Sequence, residues 1–480
     1  MRIGRFAAAV TLAAFAACGA DTVCVRADFG KPVGAVKPLH AVNNAPCRLD
    51  RDETLWEFRD AGIPYMRTHD TEGKWGGAHF VDVPNVFPDF EADENDPANY
   101  DFAFTDAYLA TVVAAGTKVY YRLGVTIENH WRIKRYHTDP PRDFAKWARI
   151  CEHIVRHFNE GWANGHRWNV EYWEIWNEPE NKAMWSGTKE QYFELYRVTA
   201  NHLKACFPKI KVGGYGGCGF AAVDDEAKKR NAHADKCVIW FEDFCKFVTD
   251  PKTKAPLDFF SWHLYLFEEK TPRRIVTHAN YVRKTLDAAG LTKTESHFNE
   301  WNYVGPRWSD YWSMRHARGA AMFAQGFCLM QTAPIDLAMF YDACPQRGLC
   351  GLFELVAKPT ADTRTTTFFA FRMWNALYRL GTAVACAADR DDFGAAAAAK
   401  DGRKALILSN NSERPRTVDL RMTDADGEPF EVFLLDDEHD SRKPSPVDVR
   451  KPFVLAPYMV ALVATPGVVA EDAGRQETKR

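Results

Sequence analysis

From about residue 34 to residue 380 the chain repeats one pattern: a short apolar run, a turn, then a stretch with apolar residues at three- and four-residue spacings. The apolar runs fall at 35–41, 63–68, 118–123, 170–176, 211–214, 257–265, 297–301 and 336–341. Runs without polar alternation suit strands buried on both faces, and intervening helices are the crossovers that parallel strands need. Eight such units predict closure into a barrel. The expected fold is α/β, a (β/α)8 TIM barrel over residues 34–380. The helical stretches are amphipathic. Between Asp143 and Gly161, Trp147, Cys151, Ile154, Val155 and Phe158 form one stripe. Thr188 with Gln191 three positions later has the form of a capping box.

After residue 380 the texture changes to short apolar runs at 404–409, 417–422, 430–435 and 453–465, separated by Asp, Gly, Asn and Pro. They predict a small C-terminal antiparallel β-sandwich domain over 381–467. A strand within 21–33 is expected to pair with it, and 468–480 reads as a mobile tail. Residues 1–20 look like a signal peptide: Arg2 and Arg5 precede an apolar stretch too short to span a bilayer, and small residues follow. Ala16-Ala17-Cys18 also resembles a lipoprotein processing box, but Phe15 is atypical of one, so cleavage near Ala20 is favoured. An exported protein, periplasmic or extracellular, is expected, with no transmembrane segment.

Charge excludes some functions. Lys and Arg total 61 against 64 Asp and Glu, for a net charge of −3 without basic runs. Binding to nucleic acid or anionic lipid is not expected. The 12 Cys form no CxxC pair, although Cys344 and Cys350 could bridge one loop. No HExxH and no Gly-rich phosphate loop occurs. No metal and no cofactor is expected, and nothing in the sequence sets an oligomeric state.

Two motifs carry the chemistry. Trp176-Asn177-Glu178-Pro179 ends the fourth apolar run, and Phe298-Asn299-Glu300-Trp301-Asn302 ends the seventh. In a (β/α)8 barrel, reacting groups stand at strand C-termini. Singly, a strand-end Glu is more often an ion-pair partner. Two of them across the mouth match a glycosidase, which needs one carboxyl to hold a proton and another to stay ionised. Glu174 and Glu295 rank below this pair, the first as a carboxylate inside the barrel and the second as a residue near its strand's start.

At these motifs the chain resembles clan A of the glycoside hydrolases, and most closely family 39, which includes β-xylosidases and α-L-iduronidases. The resemblance implies Glu178 as general acid/base, Glu300 as nucleophile, and Asn177 as a hydrogen-bond partner of the sugar 2-hydroxyl. His263-Leu264-Tyr265 resembles the clan's His-x-Tyr, with Tyr265 donating to the nucleophile and lowering its pKa. Arg67 resembles the arginine that keeps the nucleophile anionic. Glu178 is expected to have a raised pKa from burial and the Glu300 charge. His69, Asp70, His263, Trp301 and Trp131 complete the expected sugar-binding set. The implied partner is an oligosaccharide or glycoside such as a β-xyloside, cleaved with retention, and the long loops, 69–100 above all, favour release of a terminal residue. Arg347 is a weaker candidate for binding a uronate. The alternatives are another clan A specificity or a glycan-binding protein without turnover.

Overall fold

The computed structural model describes residues 21–46, 55–69, 80–126, 138–223, 232–267, 272–304, 313–344, 351–354 and 363–469. Its strands are β1 (Thr22–Ala35), β2 (Ala41–Asn43), β3 (Tyr65–Arg67), β4 (Lys118–Leu123), β5 (Tyr172–Ile175), β6 (Lys211–Gly217), β7 (Phe259–Phe267), β8 (Glu295–Val304) and β9 (Leu337–Phe340), then β10 (Thr382–Ala388), β11 (Phe393–Lys400), β12 (Arg403–Asn410), β13 (Arg416–Thr423), β14 (Glu431–Leu435), β15 (Phe453–Leu455) and β16 (Val460–Ala464). The helices are α1 (Trp56–Ala61), α2 (Val83–Val86), α3 (Ala103–Ala114), α4 (Phe144–Asn159), α5 (Lys189–Cys206), α6 (Ala232–Thr249), α7 (Arg274–Ala288), α8 (Ala317–Thr332) and α9 (Thr366–Leu380).

Strands β2 to β9 close into a barrel in chain order, with β2 pairing β9 in parallel. The (β/α)8 barrel is therefore the fold. Local signals set its helices. Asp143 caps α4 by accepting from Ala145 N and Lys146 N, and Thr188 with Gln191 forms the capping box of α5. The first barrel strand lies at β2 rather than at 35–41. The reason is that β1 continues to Ala35, pairing it with Thr382, so residues 36–40 become the connection into the barrel.

Side-chain alternation sorts the barrel strands into two clusters. Met66, Val119, Trp173, Val212, Phe260 and Phe298 pack outward with the helices. Tyr65, Tyr120, Tyr172, Phe259, Leu337 and Met339 form a second cluster with Ala41 across the barrel axis. Two residues further along their strands, Asn43, Arg67, Glu174, Ser261 and Asn299 are all buried and polar. An aromatic floor thus supports a polar layer on the way to the strand C-termini.

β1 and β10–β16 form one continuous eight-stranded sheet in the order β14-β16-β12-β11-β10-β1-β13-β15. Its pairs are antiparallel except β1 with β13. Val432 on one edge strand and Leu455 on the other belong to the same buried cluster as Val25, Leu406 and Val463. The sheet is therefore rolled over its own core, as in a sandwich. Its other face, including Ala405, Ile407 and Leu462, joins the barrel's core beside α8 and α9. Gly394 permits the close approach: a Cβ there would lie 2.9 Å from Gln325 Cα on α8. Among the described residues, no helix is long and apolar enough to cross a membrane. Residues 1–20, with Cys18, and 470–480 lie outside the described residues.

Candidate active site

Two distortions aim the two motif glutamates. Beyond β5, Trp176 (φ 75°) and Glu178 (φ 45°) adopt left-handed backbone conformations that turn the chain sharply. Glu178 N donates to Tyr215 O and Gly216 O at 3.1 and 3.0 Å, fastening the turn to the end of β6. The Trp176 indole is buried against Trp147 and Trp185, and its Nε1 donates to Met184 O at 2.9 Å. In β8 the register against β7 runs Trp262 to Phe298 and then His263 to Glu300. Asn299 is the extra residue of a bulge, so that Asn299 and Glu300 both serve the interior.

Around Glu300, Tyr265 OH donates to Oε1 at 2.5 Å, and Arg67 Nη1 donates to Oε2 at 3.3 Å. His69 Nε2 lies 3.4 Å from the same oxygen and His263 Nδ1 3.5 Å from it. His263 Nδ1 also lies 2.8 Å from Glu178 Oε1. The nearest oxygens of the two glutamates and this nitrogen all fall within 4.8 Å of one another. Arg67 organises the layer beneath. It donates Nε to Glu174 at 2.7 Å, Nη1 to Asn43 Oδ1 at 2.9 Å and Nη2 to Asn177 Oδ1 at 2.6 Å. Asn177 Nδ2 is buried without a hydrogen-bond partner.

The titration of the two glutamates differs from expectation. Burial raises Glu178, but the hydrogen bond and charge of His263, with further hydrogen bonds from Cys218 and Asn181, outweigh it and lower its pKa. Burial, aided by the Glu178 charge, raises Glu300 despite His263, Arg67 and Tyr265. Groups this close share their protons as a pair. The sequence reading counted Glu300 as the charge acting on Glu178 and omitted the contact between His263 and Glu178, which inverts the order. Burial, then the Cys237 and Glu178 charges, push Glu180 well up as well.

The structure gathers Glu178, Glu300, Asn177, Arg67, His69, His263 and Tyr265 at one end of the barrel. Trp301 is not among them. Its side chain is fully buried on the outer face of β8, against Phe323, Phe327 and Gly326 of α8. The bulge turns Glu300 inward, and strand alternation then sends Trp301 out to the helices. Asp70, Trp131 and Arg347 lie outside the described residues, as does Cys350, while Cys344 is buried. Sequence reading missed Asn43, Ser261, Asn299 and Cys218. The polar pair Asn43-Asn44 directly after an apolar stretch was the available signal for the first of these.

Glu174 is an interior carboxylate, saturated by Arg67, Ser261 Oγ at 2.6 Å and Asn299 Nδ2 at 2.7 Å. Glu295 lies at the floor with Lys211, Tyr172 and His297. Gly216 (φ +62°) passes under the site, where a Cβ would lie 2.9 Å from Asn177 Oδ1 and 3.1 Å from His263 Nε2. A separate cavity of about 320 Å³ lies beside α1 and α9, lined by Arg59, Arg372, Arg379 and Ser441 among others, and shares no residue with the carboxylate pair.

Fold and site together define a (β/α)8 barrel with two closely spaced glutamates at the ends of its fourth and seventh strands. Residues 31–325 match Glycosyl hydrolases family 39, and the chain belongs to that family. It is 27% identical over 216 residues to a β-xylosidase of Geobacillus stearothermophilus, covering 42% of this chain and 36% of that one. A β-xylosidase of Caldicellulosiruptor saccharolyticus is 27% identical over 164 residues, 33% of this chain and 26% of the relative. The chain thus spans about a third or less of these curated relatives. Among solved structures, a glucosidase from Croceicoccus marinus superposes with a TM-score of 0.70 at 21% identity, covering 92% of this chain and 98% of that one. A monomeric β-xylosidase from Caulobacter crescentus gives 0.62 at 18% identity, covering 92% and 99%.

Proposed function

We propose that the protein is a retaining glycoside hydrolase acting on a terminal glycosyl residue, with Glu178 as general acid/base and Glu300 as nucleophile. The carrying observation is the spacing of their carboxylate oxygens, within 4.8 Å and sharing His263 Nδ1. Double displacement uses carboxyl groups about 5–5.5 Å apart, whereas inversion leaves room for a water at about 6.5–9.5 Å. A xyloside is the favoured substrate, from the two β-xylosidase relatives; the glucosidase neighbour makes a glucoside the next to test.

In this reading Glu178 protonates the glycosidic oxygen as Glu300 attacks the anomeric carbon. The leaving alcohol departs with that proton, and a glycosyl ester of Glu300 remains. Glu178, now a carboxylate, takes a proton from water, whose oxygen attacks the same carbon and releases Glu300 as an anion. The working protonation state puts the proton of the pair on Glu178. Arg67 and Tyr265 favour the Glu300 anion, which leaves the proton to Glu178. Asn177 Nδ2, lacking a protein partner, is the donor for a hydroxyl of the bound sugar.

The test is a panel of nitrophenyl glycosides with wild type and Glu300→Ala. Wild type is expected to hydrolyse at least one with retention. The variant should lose roughly 10³-fold or more in turnover, and azide should restore turnover with formation of the inverted glycosyl azide. Full activity in Glu300→Ala, or in Glu178→Ala, would refute the assignment. Binding of the sugars by wild type without hydrolysis would point to glycan capture instead.

A further inference from the structure

Glu180, two residues past Glu178, meets Cys218 just beyond β6 and Cys237 on α6. A carboxylate oxygen and the two sulfurs lie within 4.8 Å of one another. Glu180 and Cys237 are each 1% exposed, Cys218 is partly exposed, and neither thiol is in a disulfide. Glu180 Oε1 accepts Cys218 N at 2.6 Å, but Oε2 is buried without a hydrogen-bond partner. A buried carboxylate oxygen left in that state is costly and calls for a proton or a cation. The three groups come from three different elements, so no sequence spacing announces them.

We propose that Glu180, Cys218 and Cys237 form a binding site for a thiophilic divalent cation of the zinc and cadmium class, beside the acid/base carboxyl. Two sulfurs with one oxygen suit borderline and soft cations, whereas magnesium and calcium take oxygen ligands. Bonds of roughly 2.3 Å to sulfur and 2.0–2.2 Å to oxygen are reached from the observed spacing by small side-chain movements. Both thiols release their protons to water as they coordinate, and Glu180 binds as a carboxylate. Two thiolates, a carboxylate and a dication leave one net negative charge. Lys236, whose Nζ donates to Glu180 O, offsets it. Three protein ligands leave a fourth position for water, and the partly exposed Cys218 gives that position its opening.

Cys218 links this site to the chemistry, because its thiol also hydrogen-bonds Glu178. A cation that takes the Cys218 sulfur withdraws a donor to the carboxylate form of Glu178, the form that takes the proton from water in the second step, so occupancy lowers turnover. This link rests on the glycosidase reading; the binding does not.

The test uses the full chain, reduced, stripped of metal and titrated without oxygen with Co²⁺ and then Cd²⁺. One equivalent should bind with a thiolate-to-metal charge-transfer band in the near ultraviolet. Cys237→Ser should lose the band while keeping its metal-free turnover and near-ultraviolet circular dichroism, which shows that it folds. Glu180→Gln should bind at least tenfold more weakly. Absence of the band in wild type, its persistence in Cys237→Ser, or a Cys218–Cys237 disulfide that re-forms and blocks binding would overturn the site. Cd²⁺ should reduce wild-type turnover at least tenfold and leave Cys237→Ser unaffected. Binding without that reduction would overturn the link to Glu178. A protein that hydrolyses no glycoside but shows the band would refute the glycosidase reading alone.

Discussion

Tyr265→Phe isolates a single hydrogen bond to Glu300, the proposed nucleophile. The phenol donates to Glu300 Oε1 at 2.5 Å, and burial followed by the Glu300 charge keeps it protonated. Phenylalanine keeps the ring and its edge contact with Tyr341 at 6.2 Å, and removes only the donor. A hydrogen bond to a charged group contributes about 1.5–3 kcal/mol. That amount corresponds to a rise of about 1–2 units in the pKa of the group it stabilises. Glu300 is already raised by burial, so the variant carries it further up. Because the proposed mechanism needs Glu300 ionised to attack, the acidic limb of kcat/KM should move up by the same interval. At a pH below both limbs the loss is roughly 10- to 100-fold. On the plateau the loss in kcat/KM should be smaller, since the charge leaves Glu300 during attack. Deglycosylation returns it, so kcat on a dinitrophenyl glycoside, where that step limits, should also fall. An acidic limb that moves less than about half a unit would refute the assignment of Tyr265 as the donor that holds the nucleophile ionised.

Gly216→Ala forces a Cβ to within 2.9–3.2 Å of Asn177, His263 and Arg67 at a left-handed φ. It should cost about 1–3 kcal/mol of stability and lower turnover, read by thermal melting and initial rates; an unchanged variant would contradict the described position of β6. Trp301→Phe should lower the melting temperature through a loss of about 1–3 kcal/mol of packing while leaving KM unchanged, whereas a sugar-stacking role would raise KM. Glu295 sits at about 2, because His297 and Lys211 outweigh the raising effect of its burial. Its folded pKa is depressed, so its contribution is complete above about pH 4.5 and disappears as pH falls towards 2. Glu295→Gln should therefore cost roughly 1–2 kcal/mol at pH 6 after solvent screening, nearly nothing at pH 2, and leave kcat unaffected; urea unfolding at the two pH values checks this.

The barrel was legible because its units are periodic. Runs of apolar residues, helical stripes and the Thr188–Gln191 box are local signals, and closure follows from their number. What could not be read was anything set by two strands at once. The bulge at Asn299 is a register event between β7 and β8, and it decides that Glu300 faces in and Trp301 faces out. The start of the barrel moved to β2 because β1 finds partners in β10 and β13, far along the chain. The contact between His263 and Glu178 likewise joins distant residues, and it reverses the order of protonation inferred from the motifs alone.

Four inward carboxylates show why residue type and strand position are insufficient without partners. Glu295 at the floor is tied to Lys211 at 2.6 Å, Tyr172 and His297, so its charge is compensated where no substrate reaches. Glu174, one layer up, is fully buried and accepts from Arg67, Ser261 and Asn299. Its acceptor capacity is spent on holding Arg67 in place. That guanidinium then reaches both Glu300 and Asn177, so Glu174 acts on the site through Arg67. Glu178 and Glu300 alone among the four combine a strand C-terminal position with residual exposure, 17% and 7% of their side chains. They also stand close enough that protonating one alters the other. In the proposed mechanism, depth in the barrel sets which carboxylate meets substrate, and the groups beside each set what it can do there.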